Sequence, residues 1–131
     1  KRNMGNILNV ASAAAFQPGP LMATYYSTKA YVLHLTEAIY EELRREKSKV
    51  SISCLCPGPV DTNFNQVANV QFSLPGLSAK YVARYAIMQM FNHKMLIIPG
   101  GKMKMTKFFG RLCSEKRLLK LAYRIQRQKQ P

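Results

Sequence analysis

The sequence contains no tryptophan and only three cysteines, and these absences exclude several protein classes. Cys54, Cys56 and Cys113 are odd in number, which does not suit a fully paired disulfide framework. Cys54 and Cys56 lie two apart in an apolar run, where neighbours on a strand cannot easily bridge each other. No histidine or further cysteine stands nearby to complete a zinc site. We therefore expect reduced cysteines, a cytoplasmic location and no bound metal.

Long apolar runs are also missing from the chain. No stretch approaches the length that a transmembrane helix needs, and the first residues are not followed by a signal-peptide pattern. Long polar runs of low complexity are absent too. These absences leave a globular protein, because 131 residues with a hydrophobic share of 47% suffice for one domain with its own core.

Acidic residues are scarce, and the resulting positive charge is unevenly distributed. Six acidic residues stand against 20 lysines and arginines, which gives a formal net charge of +14. Most of the excess lies in residues 102–131, which carry ten Lys and Arg but only one acid, Glu115. The charge therefore describes mainly this tail and not the part of the chain before it.

Apolar side chains are interleaved with the cations of the tail. Leu118, Leu121 (or Ala122) and Ile125 can share one side of a helix, with the cations largely on the other sides. A basic amphipathic helix of this kind can lie on an anionic membrane. The other interpretation is a solvated helix that covers a pocket or the edge of the domain. Nucleic acid is not expected as a partner, because no motif that reads it accompanies the charge.

Apolar periodicity and turn residues predict alternating strands and helices. In chain order the predicted elements are a strand at 5–12, a Pro/Gly loop at 17–20, a helix at 24–47, a strand at 50–56, a loop with a short helix at 60–76, a helix from 78 to 92, a strand at 95–98 and two basic helices beyond 102 that are separated near 110–114. This order is typical of an α/β fold in which helices cover a parallel, doubly wound sheet. Because only three strands are present, we expect further strands upstream in a longer protein.

Two local features refine this prediction. The long helix has Val32, Leu35, Ile39 and Leu43 at near-helical spacing, which predicts its buried side. Ser78 stands where its side chain can cap the following helix. Both features are local, so they predict where helices form but not what the helices pack against.

A tyrosine and a lysine four residues apart open the long helix. Tyr25 and Lys29 share a helix face, so the Lys29 ammonium can lie near the phenol oxygen and favour its ionised form. Such a tyrosine can give a proton to a carbonyl oxygen or take one from an alcohol. Ser12 can hydrogen-bond the same substrate oxygen from the carboxyl end of its strand, where open α/β sheets bind ligands. Tyr26 is a competitor, but it lacks the four-residue spacing to Lys29.

These blocks, in this order, resemble the short-chain dehydrogenase/reductase family over about residues 5–100. The matching positions are Gly5, Ile7, Asn9 and Ser12 on the first strand, Tyr25 and Lys29 on the helix, and the motif Pro57, Gly58, Pro59, Val60, Asp61 and Thr62 after the second strand. The resemblance implies a Rossmann-like fold and hydride transfer between a nicotinamide cofactor and a carbonyl/alcohol substrate. It implies Ser12, Tyr25 and Lys29 as the catalytic residues, whereas Asn9 is interpreted as structural.

The resemblance also implies a cofactor site and shows what this chain lacks. The implied cofactor-binding residues are Tyr25, Lys29, Pro57, Gly58, Val60 and Thr62. The cofactor would be NADP or NAD. NADPH and the direction of reduction are favoured because they are common in the family. The family's Gly-rich phosphate-binding turn and its upstream catalytic asparagine have no match here, and Ala11 stands where many relatives have serine.

We therefore expect a C-terminal half of a longer enzyme, with residues 1–101 as its catalytic part and 102–131 as a basic helical tail. By itself this half would lack the means to hold its cofactor and would be inactive. An open reading frame that begins at Met4 with nothing upstream would refute this expectation.

The segment 60–77 and the long helix suggest the partners of the parent enzyme. Apolar side chains in that segment favour a hydrophobic substrate: Phe64, Val67, Val70, Phe72 and Leu74. The long helix resembles the one that forms subunit interfaces in the family, which implies a homo-oligomer. The alternative function is a non-catalytic fragment, or a module that binds a membrane or a partner through its basic tail.

Overall fold

A computed structural model of the chain describes residues 3–67, 75–110 and 112–128, without the side chains of residues 65, 106 and 109. The strands are β1 (Met4–Val10), β2 (Lys49–Leu55), β3 (Val60–Asp61), β4 (Leu77–Ser78) and β5 (Leu96–Ile97). The helices are α1 (Ala23–Arg45), α2 (Phe64–Val67), α3 (Ala79–Phe91), α4 (Gly101–Gly110) and α5 (Glu115–Arg127), and a short 3-10 helix spans Ala13–Phe16. The alternation of strands and helices follows the prediction closely, including the break between the two basic helices.

The main sheet is parallel, with the strand order β1-β2-β5. β1 and β2 pair along their full length, from Met4 opposite Lys49 to Val10 opposite Leu55. The α/β fold with a parallel sheet is thus confirmed. Parallel strands that are covered on both faces read as apolar runs without alternation, and this is why β2 could be recognised in the sequence.

Two apolar clusters lie on the two faces of β2. Cys54 and Cys56 point to one side and pack with Leu33 of α1, whereas Leu55 points to the other side and packs with Val82 of α3. The Cys54 and Cys56 sulfurs lie 3.8 Å apart as free thiols, so these strand neighbours are not bridged. Contact with the Cys54 sulfur, and then burial, raise the pKa of the Cys56 thiol.

The buried side of α1 differs from the prediction at Leu35, whereas Val32, Ile39 and Leu43 are half-buried. Tyr26, Leu33 and Thr36 are buried, whereas Leu35 is exposed. A threonine can be buried here because its hydroxyl donates to the Val32 carbonyl at 2.7 Å and accepts from the Asn9 amide at 2.9 Å. Asn9 therefore ties β1 to α1, which agrees with its interpretation as a structural residue.

The segment between β2 and α3 contains pairing that the sequence did not indicate. β3 and β4 form a small parallel sheet in which Val60 lies opposite Leu77. The short helix expected in this segment is present as α2, whereas Val70, Phe72 and Leu74 lie outside the described residues. The predicted cap of α3 is confirmed, since the Ser78 hydroxyl oxygen accepts from the Tyr81 amide at 3.3 Å.

The two basic helices pack against the rest of the chain at specific points. Ala122 and Gln126 of α5 are buried, whereas Leu121 and Ile125 are exposed, so Ala122, the alternative to Leu121 on the shared side, is the one that faces inward. The apolar arc of α5 is wider than the face by which it docks, and the small Ala122 sits at the point of contact. In the described part of the chain, no helix is long and apolar enough to cross a bilayer.

Candidate active site

Ser12 lies just beyond the carboxyl end of β1. The chain is held there by two backbone hydrogen bonds to β2 and its continuation: Ala11 N–H to the Leu55 carbonyl at 2.8 Å, and Ala13 N–H to the Pro57 carbonyl at 2.8 Å. The Ser12 Oγ accepts from the Ala14 amide at 3.1 Å and caps the 3-10 helix. That bond uses only the oxygen as an acceptor, so the hydroxyl hydrogen remains available to donate to a substrate oxygen.

Lys29 reaches the same end of β1 from the helix. Its Nζ donates to the Val10 carbonyl at 3.3 Å and lies 5.9 Å from the centre of the Tyr25 ring. An ammonium group has three donors, so one bond to a carbonyl leaves two for other acceptors. The four-residue spacing therefore does place the cation beside the tyrosine, and the bond to Val10 holds it at the strand end that carries Ser12.

Tyr25 and Tyr26 lie in different surroundings, which separates the two candidates for proton transfer. Tyr25 is half-buried, with its ring centre 5.9 Å from that of Tyr26 and 5.5 Å from that of Phe64. Tyr26 is only 8% exposed, and its phenol oxygen accepts a hydrogen bond from the Gln126 side-chain amide. Burial, and then the neighbouring Tyr25, raise the pKa of Tyr26, which the bond from Gln126 partly offsets. The phenol oxygen of Tyr26 is thus hydrogen-bonded inside the protein, whereas Tyr25 is half-buried and lies beside Lys29 and Phe64.

The segment Pro57–Thr62 runs beside this strand end. Pro57 accepts from the Ala13 amide, next to Ser12, and the Pro59 carbonyl accepts from the Leu77 amide at 2.9 Å. The Thr62 hydroxyl oxygen accepts from the Phe64 amide at 3.3 Å. The segment is therefore anchored on one side to the Ser12 turn and on the other to β4.

Met103 of α4 packs directly on Gly58. A Cβ atom at Gly58 would lie 2.8 Å from the Met103 side chain, so this glycine permits the close approach of α4. The residues implied as a cofactor site thus lie near the carboxyl end of β1. They include the Lys29 ammonium and the hydroxyl groups of Tyr25 and Thr62. Cations and hydroxyls of this kind suit the ribose and nicotinamide half of a dinucleotide, while a Gly-rich turn for its other half has no counterpart in the chain.

Three contacts in this region had no clear signal in the sequence. Phe64 was noted as apolar, but its ring contact with Tyr25 depends on how the segment after β3 folds back. Met103 over Gly58 and Gln126 on Tyr26 both join residues 102–131 to the preceding part of the chain. The only signal for the contact of α5 was the four-residue spacing of Ala122 and Gln126, which places them on one side of the helix. Because neighbouring residues are more apolar, this spacing did not single out the two residues as the docking face. Within the described ranges, no three His, Cys, Asp or Glu residues cluster so that they could hold a metal ion.

Comparison with known proteins places this geometry in one family. The family model for short chain dehydrogenase matches residues 1–71, which include Ser12, Tyr25, Lys29 and the segment to Thr62. The chain is 29% identical over 127 residues to estradiol 17-beta-dehydrogenase 11 of Mus musculus, covering 95% of this chain and 42% of that protein.

Solved structures show the same fold. A short chain dehydrogenase from Burkholderia cenocepacia in complex with NADP superimposes with a TM-score of 0.71 at 23% identity, covering 94% of this chain and 48% of that one. A short chain dehydrogenase/reductase from Burkholderia phymatum in complex with NAD gives 0.69 at 23% identity, covering 79% and 46%. The chain thus spans less than half the length of these relatives. Because the family model matches more than half of its residues, the chain belongs to the short-chain dehydrogenase family.

Proposed function

We propose that this chain carries the proton-transfer half of a nicotinamide-dependent oxidoreductase that interconverts a carbonyl compound and an alcohol. The observation that carries the proposal is the position of Lys29, whose ammonium bonds the Val10 carbonyl and lies beside the Tyr25 ring. One side chain thereby joins the catalytic helix to the strand end at which Ser12 stands.

The three side chains have distinct roles in reduction. The Ser12 hydroxyl donates a hydrogen bond to the substrate carbonyl oxygen and fixes its position. Tyr25 gives its phenol proton to that oxygen as the alcohol forms, and it takes the proton back in the reverse direction. Lys29 supplies positive charge beside the Tyr25 ring, and this charge would offset the negative charge that develops on the ring as the proton leaves.

A bound nicotinamide would supply the hydride that this chemistry needs. Its ribose would be held by Tyr25 and Lys29, and its ring side by the segment with Pro57, Gly58, Val60 and Thr62. The structural neighbours hold NADP in one case and NAD in the other, so both cofactors are compatible with the proposal. NADPH is the cofactor we would test first, with reduction as the direction. The adenine half would be bound by sequence outside this chain.

The proposed substrate is a hydrophobic carbonyl or alcohol. The Phe64 ring lies tilted against the Tyr25 ring, with the ring centres 5.5 Å apart, and would form an apolar wall where the substrate oxygen is protonated. The mouse relative is named for the oxidation of estradiol, a bulky apolar alcohol, and this supports the same substrate class here. The proposed working compartment is the cytoplasm, where buried free thiols such as Cys54 and Cys56 remain reduced.

A homo-oligomer is proposed as the working form. Tyr31 and Leu35 are exposed on α1, and apolar side chains on a long helix are suited to a subunit interface. Light scattering of the full-length protein would test this, with a dimer or tetramer mass as the expected result and a monomer as the contrary one.

The experiment that tests the activity uses full-length protein with NADPH or NADH and a panel of apolar and polar ketones. Oxidation of the nicotinamide, followed by its absorbance, is expected with apolar ketones. Cofactor binding, followed by fluorescence, is measured in parallel. If the protein binds the cofactor but reduces no carbonyl and oxidises no alcohol, the proposed reaction is wrong.

A further inference from the structure

Helix α5 docks on the protein through a narrow, weakly apolar face. Ala122 and Gln126, one turn apart, are each 4% exposed, and Gln126 donates to the phenol oxygen of Tyr26. A small side chain and an amide thus form the contact with the rest of the chain. This bond fixes how the helix is rotated, and therefore which of its side chains face outward.

Most of the larger apolar side chains of the helix lie outside this contact: Leu119, Leu121, Tyr123 and Ile125 are exposed. Leu121 is 52% exposed and Ile125 is 41% exposed, and their four-residue spacing places them together on one face. A helix that only covered the core would turn such residues inward. The structure therefore leaves an apolar pair at the surface, on a helix whose rotation is set by a hydrogen bond.

Cations flank this pair. Arg117 lies one turn before Leu121 and Arg124 one turn after it, and both are exposed. We call Arg117, Leu121, Arg124 and Ile125 the outer face of α5. Further exposed cations on the helix are Lys116, Lys120 and Arg127. Among the described residues, no cation of α5 takes part in an ion pair, and the only acid of the helix is Glu115 at its start.

We infer that the outer face of α5 binds the surface of an anionic lipid bilayer, so that the protein associates peripherally with membranes. In this arrangement Leu121 and Ile125 enter the boundary between headgroups and acyl chains, while Arg117 and Arg124 contact the anionic headgroups. The helix lies in the plane of the surface and does not cross it. This inference is independent of the proposed reaction, because lipid binding needs neither cofactor nor catalytic residues.

Charge and apolar character together favour an anionic bilayer over a second copy of the chain or nucleic acid as the partner of the outer face. A second copy of the chain would bring an equally basic helix against this one, and like charges oppose such a contact. Nucleic acid would satisfy the arginines through its phosphates, but it would leave Leu121 and Ile125 without an apolar partner. An anionic bilayer satisfies both, because its headgroups attract the cations and its interior accepts the apolar pair.

The test is co-sedimentation of the full-length protein with two kinds of vesicle, phosphatidylcholine alone and phosphatidylcholine mixed with phosphatidylserine. Binding is expected to the mixed vesicles, much less to phosphatidylcholine alone, and it should weaken as salt is added. Two double variants separate the contributions: Leu121→Gln with Ile125→Gln, and Arg117→Gln with Arg124→Gln. Each should lower the affinity for mixed vesicles by roughly tenfold or more.

The matched control is Lys80→Gln with Arg84→Gln on α3, two exposed cations that lie one turn apart on another helix. This variant loses the same charge and should bind vesicles like the wild type. Circular dichroism and the unfolding temperature of each variant establish that it remains folded. Equal losses in the control and the arginine variant, or full binding by the Leu121→Gln with Ile125→Gln variant, would overturn the inference.

Two further measurements test whether nucleic acid or a second copy of the chain binds the outer face instead. If a DNA or RNA duplex displaces the protein from mixed vesicles at equal phosphate concentration, the outer face belongs to nucleic acid and the inference is wrong. If the Leu121→Gln with Ile125→Gln variant lowers the oligomeric mass while vesicle binding persists, the face belongs to a second copy. Catalytic assays of the same variants keep this test apart from that of the proposed function, since loss of lipid binding with turnover retained supports only the lipid inference.

Discussion

The side-chain amide of Gln126 donates a hydrogen bond to the phenol oxygen of Tyr26, across 100 residues of sequence. Both residues are buried, and Tyr26 stands directly after Tyr25 in the first turn of α1. Tyr26 also packs closely on Gly19, where even a Cβ atom would overlap its ring. The last helix is thus tied to the turn that carries the proposed proton donor, and the tie depends on buried polar groups.

Removal of this tie should destabilise the fold. In Gln126→Ala, the buried Tyr26 hydroxyl loses its partner, and we expect the free energy of unfolding to fall by about 1–3 kcal/mol. Urea unfolding of the full-length protein measures the change, and Gln128→Ala, at an exposed position on the same helix end, is the control. An unchanged free energy in Gln126→Ala would show that the bond contributes nothing.

The phenol hydroxyl of Tyr25 should be needed for turnover but not for stability. Tyr25→Phe should lower kcat by roughly 10²–10⁴-fold, because the proton donor is lost while the ring remains to pack on Phe64. Tyr81→Phe, at an exposed site on α3, should keep full activity. Steady-state rates and unfolding temperatures of the two variants are compared. Full activity in Tyr25→Phe would refute the assignment of Tyr25.

The charge of Lys29 should matter more than its length. Lys29→Met removes the cation beside Tyr25 and the bond to the Val10 carbonyl. We expect kcat/KM to fall by roughly tenfold or more, because this is the usual size of the effect when a charged hydrogen-bond partner is lost. Lys29→Arg keeps the charge and should recover part of the loss. If kcat/KM falls equally in both variants, Lys29 acts through its precise shape, and the electrostatic role is wrong.

Tyr26 should make stability fall at high pH. Burial raises its pKa in the folded protein above the ordinary value of 10.0, so folding favours the neutral phenol. This contribution is complete below pH 10.0 and is lost as the pH rises through the higher folded pKa. The unfolding temperature of the wild type should therefore drop more steeply above pH 10 than that of Tyr26→Phe. Parallel curves for the two proteins would contradict this expectation.

The three cysteines should differ in reactivity. Cys113 is exposed, whereas Cys54 and Cys56 are buried with their thiols in contact. A thiol reagent such as Ellman's should label Cys113 rapidly in the native protein, but Cys54 and Cys56 only in denaturant, because access and the thiolate form control the rate. Cys113→Ser should abolish the rapid phase. A rapid phase that persists in this variant would place a reactive thiol in the core.

Local patterns account for the parts of the fold that sequence could predict. The strands and helices were predicted because apolar spacing, proline stops and the Ser78 cap act within a few residues. The choice of Tyr25 over Tyr26 rests on the same kind of information, the four-residue spacing to Lys29. The cofactor contacts proposed for Pro57, Gly58, Val60 and Thr62 stay a prediction, as does the division of the chain at residues 101 and 102.

Errors arose where one element meets another. The spacing on α1 suggested that Leu35 faces inward, but Thr36 is buried because Asn9 and Val32 satisfy its hydroxyl. On α5 the apolar residues outnumber those that the docking face can hold, so spacing alone could not show that Ala122 and Gln126 are the inward pair. The pairing of β3 with β4 joins segments that are separated by 15 residues, and no local signal marks it.

The sequence by itself determined the family and the order of the elements, and it supplied the prediction of the residues that move a proton, because each follows from short-range spacing or a local motif. Only the tertiary structure decided that Lys29 reaches the end of β1, that Gln126 occupies the hydroxyl of Tyr26, and that Leu121 and Ile125 remain outside. These outcomes depend on which surfaces meet when the chain packs, and the free energy of that packing is shared among residues far apart in sequence.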